Sequence, residues 1–351
     1  MTEDVIIRSE GAAGRITLNR PKALNALNMA MTEAIAAALT RWRDDDRISH
    51  VVIDGTGGRA FCAGGDIRAV YDAIPGDPEF PRRYWRAEYR LNAAIARYAK
   101  PYVALMDGFC LGGGVGLAAH GSHRIVTERS AVGMPETAIG FTPDVGGSWL
   151  LARAPGHAGE YMAASAYRMG AADAIHAGFA DTAVRADDVP AFIAALCEGR
   201  DVGETARRFA SYPGASALAE RRADIDLVFG TETIQEAVRR LEAKGGPWAE
   251  ETLGKIAAHS PTALAAAHYS VRKARGHGRL EESIDHEYRY AHRAVALHDF
   301  REGVRALLVD KDGRPQWRPA RLDDVRFGDI AALFAPLGED ELGLMSRSAS
   351  P

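Results

Sequence analysis

Three cysteines in 351 residues are too few and too scattered for either structural use of cysteine. Cys62, Cys110 and Cys197 are odd in number and never form a CxxC pair, which excludes a disulfide framework and a structural zinc site. They read as small buried hydrophobes. No run approaches the roughly 20 apolar residues that span a bilayer, so no membrane partner is expected. The opening residues, MTEDVIIRSEGAAG, are acidic, unlike a secretory or mitochondrial leader, which makes the cytoplasm the expected place. Neither sign of charge dominates: the formal net charge of -4 gives no electrostatic ground for nucleic acid as a partner. An anionic ligand would need a local cradle.

Two familiar cradles are missing as well. GGGVG lacks the GxGxxG spacing of a dinucleotide fold, and no GK[ST] follows a glycine loop. What is present is an ordinary globular composition, 47% hydrophobic and 26% charged, long enough for one large domain or two modest ones.

The chain alternates strands and helices over its first half. RITLNR (15–20) has a strand's period, and the segment 28–43 places Met31, Ile35, Leu39 and Trp42 at helical spacing behind Asn28 as N-cap. HVVIDGTG (50–57) and PYVALMDG (101–108) read as buried strands ending in glycine turns, with a further strand around RIVTE, 124–128. This is an α/β layer pattern. Beyond about residue 195 strand signals fade, so the expected division is a core over 1–195 and a mainly helical region over 196–351. That region includes a helix from Pro261 to Arg275 capped by Ser260. GKIAAHSPT and the tail LMSRSASP look loosest, with the last half dozen residues expected to lack order.

Two glycine-rich turns carry the first chemical signal. FCAGGDI (61–67) and CLGGGVG (110–116) let backbone approach a partner closely. Gly112 to Gly114 sit where a strand hands over to a helix, whose first N–H groups are unpaired and carry the positive dipole end. Two such turns face to face would make a two-donor oxyanion hole; the alternative is that these glycines serve only tight packing. The second signal is Glu88. With Tyr84, Leu91, Ile95 and Tyr98 it lies on one apolar stripe of a helix between Pro81 and Lys100. A carboxylate there needs a partner, either Arg83, Arg86 or Arg90 of the same helix or a polar group of a ligand. The third is MPETAIGFTPDVGG (134–147), where Glu136 and Asp144 stand in an otherwise apolar, turn-rich run. Glu136 is a working acid or a strand-end surface acid. Asp144, after Pro143, is a working acid or a helix cap.

GRITLNRPKALNAL, RAFCAGGDIRAVYD, KPYVALMDGFCLGGGVGLAAHG and MPETAIGFTPDVGG together resemble the enoyl-CoA hydratase/isomerase (crotonase) superfamily over roughly residues 5–195. PETAIG with PDVGG, and DFREGVRALLVDKDGRPQWRP (299–319), look like its 3-hydroxyisobutyryl-CoA hydrolase branch, which extends the resemblance over nearly the whole chain.

The resemblance implies a spiral of repeated ββα units that binds acyl-coenzyme A, with the thioester oxygen held by the N–H groups of Gly65 and Gly113. The CAGGDI backbone, Ala63, Asp66 and Ile67 included, would meet the adenine, and Lys22 would lie near the phosphates. Glu136 and Asp144 would be catalytic, and both, with Glu88 and Gly113, would touch the acyl group. Hydratases of the superfamily have a glutamate where this chain has Gly116, so the acid–base pair for hydration is incomplete. Thioester hydrolysis needs one main carboxylate, because a thiolate with a pKa near 8.5, by analogy with cysteine, leaves with little acid help. The leading expectation is a hydrolase of 3-hydroxyisobutyryl-CoA or a close β-hydroxyacyl-CoA, as in valine breakdown. Coenzyme A is then part of the substrate and no cofactor or metal is implied. A hydratase or isomerase on short acyl-CoAs, and a non-catalytic acyl-CoA binder, are the alternatives. Assembly into a homo-oligomer is open. His120 and His123 read as helix-end residues, and Cys110 as packing.

Overall fold

The structure, a computed structural model, describes residues 3–347, and of 346 and 347 the backbone alone. The tail expected to lack order lies largely outside the described residues. The chain forms two compact units that interleave along the sequence: Met1–Asp66, Ala87–Gly133 and Met169–Ala219 in the first, Ile67–Arg86, Met134–Arg168 and Glu220–Pro351 in the second. Among the described residues no regular strand follows residue 183, and the regular elements after it are helical.

In the first unit the strands are β1 (Val5–Glu10), β2 (Ala13–Leu18), β3 (His50–Gly55), β4 (Ala60–Cys62), β5 (Tyr102–Met106), β6 (Phe109–Leu111), β7 (His123–Val126), β8 (Ala131–Gly133) and β10 (Thr182–Ala183). β9 (Arg168–Met169) lies where the chain re-enters this unit. One sheet runs β1-β2-β3-β5-β7-β10, the other β4-β6-β8-β9. Each pass of the chain gives one strand to the first sheet, β3, β5 or β7, and the next to the second, β4, β6 or β8. Within each sheet those neighbours are parallel. This is a ββα repeat, the crotonase-like α/β architecture expected, with a helical C-terminal part.

The strands are apolar because both faces of the first sheet are covered. Ala13, Val52, Val103, Leu105 and Ile125 meet Phe192 and Leu196 of the helix Val189–Cys197 and Val202 and Ala206 of the helix Val202–Phe209. Burial of such side chains contributes roughly 1.5–3 kcal/mol each. The alternation in RITLNR does not mark a wet face: β2 is buried throughout, and Arg15 is accommodated by an ion pair to Asp54 at 2.5 Å. Asn28 caps the helix Met29–Arg43 by accepting from Met31 N at 2.9 Å, as expected.

The second unit is helical. Ser260 caps the helix Pro261–Ala274, accepting from Ala263 N at 3.1 Å. GKIAAHSPT, which looks loose in sequence, is the end of the helix Pro247–Ala258 and the start of the next. At the centre of this unit Trp85, Phe141, Tyr290 and Phe300 form an aromatic cluster with ring centroids 5.2–5.8 Å apart. Glu160, fully buried, is held by Arg275 at 2.6 Å.

Candidate active site

The first unit brings the two glycine turns together. β4 and β6 are parallel neighbours, so the turns that follow them leave the sheet side by side. The bridge between Leu27 and Gly65 uses the Leu27 N–H to Gly64 O (2.9 Å) and the Asp66 N–H to Leu27 O (2.8 Å), which leaves the Gly65 N–H outside it. Gly113 is the first residue of the helix Gly113–Ala118, so its N–H has no acceptor in a preceding turn. Gly112 reaches that geometry with φ 50, in the region that favours glycine. A Cβ built on Gly113 would lie 3.1 Å from Gly65 N and 2.5 Å from Glu88 Oε1. Two backbone donors and one carboxylate therefore converge on a spot where a side chain at 113 has no room.

Glu88 belongs to the helix Phe80–Ala96 and is almost fully buried. Two of the arginines expected as its partners are engaged elsewhere: Arg83 with Asp77 at 2.5 Å, and Arg86 with the carbonyls of Glu341 and Asp340 at 3.0 and 2.7 Å. Tyr98 lies beyond the end of the helix and donates to Leu39 O at 3.0 Å. One turn on from Glu88, Asn92 is fully buried, and neither of its amide atoms has a hydrogen-bond partner among the described residues. It lies on the same helical face as Glu88, at i+4.

The residues around the CAGGDI turn are wetter. Asp66 receives Arg20 at 2.8 Å, and Lys22 is exposed on the short turn Pro21–Ala23. Ala63 N donates to Leu24 O at 3.0 Å. Ile67, partly buried, opens the helix Ile67–Ala73 in the second unit. Cys62 and Cys110 are fully buried, and burial pushes the Cys62 thiol up to about 12 and the Cys110 thiol well above its ordinary value, so neither offers a thiolate. Cys197 is only partly buried, contrary to expectation, and sits 3.9 Å from Arg15 Nη1. His123 opens β7, where a helix end was expected, and its Nδ1 is paired with Ser122 Oγ at 3.0 Å; His120 follows the short helix closely.

In the second unit Glu136 and Asp144 are both buried, 7% and 6% exposed, which removes the surface-acid reading of Glu136. Glu136 starts the tight turn Glu136–Ile139, closed by Phe141 N donating to Glu136 O at 3.0 Å. Gly147 lies against Met134: a Cβ there would come within 2.5 Å of Met134 Cε, so the Asp144 turn and the Glu136 turn pack on one another. The DFREGV segment backs the Glu136 turn. Gly303 is pressed against the Ile139 backbone, Gly140 (φ 72) against the Asp299 carbonyl, and Phe300 enters the aromatic cluster beside Phe141. Asp299 ties its own helix to Ser260 Oγ at 2.6 Å and to Arg318 N at 2.8 Å.

Asp144 is not the N-cap of the helix Gly147–Arg153. That position is Gly146, and the capping acceptor comes from far away in sequence. Gly146 N donates to Glu287 Oε2 at 2.7 Å, Ser148 N to Glu287 Oε1 at 2.9 Å, and the Ser148 hydroxyl to the same oxygen. Glu287 was missed in sequence, although Leu280, Ile284, Glu287, Ala291 and Ala294 form an apolar stripe interrupted by one acid, the signal that singled out Glu88. Among the described residues no group of three or more metal-binding side chains is placed to hold a metal, and no helix is long and apolar enough to cross a membrane.

Residues 13–334 match the family model described as enoyl-CoA hydratase/isomerase. The chain is 39% identical to the mitochondrial 3-hydroxyisobutyryl-CoA hydrolase of Gallus gallus, over 97% of this chain and 91% of that protein. To the Homo sapiens protein of the same name it is 38% identical, over 97% and 90%. Among solved structures it resembles one described as a carnitinyl-CoA dehydratase from Mycobacterium thermoresistibile, with TM-score 0.93 and 43% identity over 97% of this chain and 98% of that one. Another, described as an enoyl-CoA hydratase from Rhodobacter sphaeroides, gives 0.90 and 46% over 97% and 99%. By its sequence, its ββα repeats and its paired glycine turns, the chain belongs to the enoyl-CoA hydratase/isomerase family.

Proposed function

We propose that this protein hydrolyses the thioester of 3-hydroxyisobutyryl-CoA, or of a close short-chain β-hydroxyacyl-CoA, to the free acid and coenzyme A. The observation that carries the reading is Gly116, a buried glycine of the helix Gly113–Ala118, where hydratases of the family use a glutamate. The helix offers no side chain to shuttle a proton across a double bond. The names of the curated relatives support the same conclusion.

In this reading the N–H groups of Gly65 and Gly113 receive the charge that develops on the thioester oxygen. Glu136 takes a proton from water as the water oxygen bonds to the carbonyl carbon, or its own oxygen makes that bond and gives a mixed anhydride that water then cleaves. In both routes the carbon–sulfur bond breaks, and the sulfur leaves as thiolate and is protonated in solvent. Asp144 orients the water or the acyl hydroxyl, and Glu88 accepts a hydrogen bond from that hydroxyl. Ala63, Asp66, Ile67 and Lys22 serve the coenzyme A moiety, with Arg20 added beside Asp66. Glu136→Gln should lower turnover about 10²- to 10⁴-fold while coenzyme A still binds. Unchanged turnover would remove Glu136 from the chemistry. A single turnover in ¹⁸O-water, followed by mass analysis of the 134–147 peptide, separates the two routes.

A hydratase or dehydratase reading has one observation in its favour, the descriptions of the two solved relatives. It requires Asp144 to replace the missing glutamate. The proposed place of action is the cytoplasm, whereas the curated relatives are named as mitochondrial, so cell fractionation decides it. Sedimentation addresses self-association.

A further inference from the structure

We infer that Glu287 is a positioning residue for Asp144: its carboxyl clamps the turn Asp144–Gly147 in the backbone conformation that presents the Asp144 side chain. The inference rests on the role proposed for Asp144.

The turn is one the chain would not hold unaided. Val145 has φ 52 and Gly146 φ 80, and a β-branched residue in the left-handed region is a true outlier that the surroundings must hold in place. Its own internal bond, Gly147 N to Asp144 O at 2.6 Å, closes the loop but does not choose its handedness. The helix that follows is capped by a glycine with no side-chain acceptor. Glu287 supplies what is missing. Its two oxygens divide the work, Oε2 to the Gly146 N–H and Oε1 to the Ser148 N–H and hydroxyl, so the amides on both sides of Gly147 are fixed by one rigid, planar group. Glu287 is itself completely buried in the helix Leu280–Ala294, which also carries Tyr290 of the aromatic cluster, so the clamp is anchored in the core of the second unit.

An acid buried this deeply is costly where an apolar residue would pack. A cap alone needs no such acid, because serine or aspartate at the N-cap position does that work locally. The feature that sets Glu287 apart is its neighbour. Burial first, and the charge of Asp144 among the further causes, push the Glu287 carboxyl up to about 8, against the opposing hydrogen bonds from Ser148 and Gly146. The two acids are therefore close enough to feel one another.

The test measures thiol release by Glu287→Gln, Asp144→Asn and the double variant, with circular dichroism and thermal unfolding of each. Glutamine keeps the shape but presents an NH₂ where one backbone N–H needs an acceptor. We expect kcat of Glu287→Gln to fall about 10- to 100-fold with KM within about threefold, the cost of misplacing a reacting group by an ångström. We expect the double variant to be no slower than Asp144→Asn, because the clamp has nothing left to position. Glu160→Gln, a buried acid in the same unit paired to Arg275, is the control: it should lose stability and keep kcat. Turnover of Glu287→Gln within twofold of the parent, or losses that multiply in the double variant, overturns the inference. Parental turnover in Asp144→Asn overturns instead the reading of Asp144 on which it rests. Should Glu287→Gln fail to fold, Ser148→Ala decides: it removes the hydroxyl donor alone, should lower kcat about fivefold in the Asp144 background and not in the Asp144→Asn background, and an equal loss in both overturns the clamp.

Discussion

A methyl group at position 113 probes the proposed oxyanion site most sharply. In Gly113→Ala the new Cβ would stand 2.5 Å from Glu88 Oε1 and 3.1 Å from Gly65 N. Carbon and oxygen normally approach to about 3.3 Å, so the carboxylate must withdraw by roughly 0.8 Å. Glu88 is 2% exposed and has little space to do so, which sets the stability cost at about 1–3 kcal/mol, the usual range for overpacking. The effect on turnover should be larger. The methyl stands over the Gly65 N–H, and loss of one oxyanion donor costs about 10²- to 10³-fold in kcat, or roughly 3–4 kcal/mol. Thiol release with a chromogenic trap, at saturating 3-hydroxyisobutyryl-CoA, gives kcat directly. Adding Glu88→Ala relieves the collision with the carboxylate but not the shielding of Gly65, so Gly113→Ala/Glu88→Ala should regain stability without regaining turnover. If Gly113→Ala turns over within threefold of the parent, the two glycine turns are packing devices and the oxyanion assignment is wrong.

Three further outcomes follow from the second unit. Glu160→Gln leaves the Arg275 guanidinium partly buried without its counter-charge and should cost about 3–5 kcal/mol in urea unfolding with kcat unchanged, since Glu160 lies in a structural pair. Asp144→Asn should shift the unfolding midpoint little, because Glu287 and not Asp144 satisfies the start of the helix Gly147–Arg153; a large drop would restore the capping role. Stability should also decline in acid through two buried histidines. Burial holds His268 down to about 4 and His286 down to about 3, against an ordinary value of 6.5. Their folded values are depressed, so the neutral rings contribute fully above about pH 6.5, and that contribution fades as pH falls toward 4. For His268 the shift corresponds to about 3 kcal/mol. Glu287 acts with the opposite sign: raised to about 8, it contributes fully below about pH 4.5 and its contribution is lost as pH rises through 8. Urea midpoints from pH 7 to about 4.5 should fall in the parent and fall less in His268→Gln; a flat parental profile would contradict the histidine argument.

Local signals in the sequence carried the fold a long way. Buried parallel strands such as VVI and YVAL are continuous apolar runs, and the glycine turns after them announce themselves because only glycine fits where Gly113 lies against Gly65 N. Glu88 was legible for a related reason, an acid on an apolar helical stripe. Pairings across long sequence separations were not. Nothing near Gly146 or Ser148 points to an acceptor 141 and 139 residues away, so Asp144, the nearest plausible cap, stood in for Glu287. The DFREGVRALLVDKDGRPQWRP segment was recognisable by resemblance, but its physical task came from the structure: Asp299, Phe300 and Gly303 support the turn that starts with Glu136. RITLNR showed its strand by alternation, but not that Arg15 is buried, which depends on an ion pair to Asp54, 39 residues away.

The central claim is hydrolysis in place of hydration. The most direct test presents the purified protein, in parallel, with 3-hydroxyisobutyryl-CoA and with crotonyl-CoA, recording free thiol and enoyl absorbance in both. A hydrolase releases thiol rapidly from 3-hydroxyisobutyryl-CoA and causes no loss of enoyl absorbance from crotonyl-CoA. Loss of enoyl absorbance from crotonyl-CoA, with no thiol released from either substrate, would contradict it.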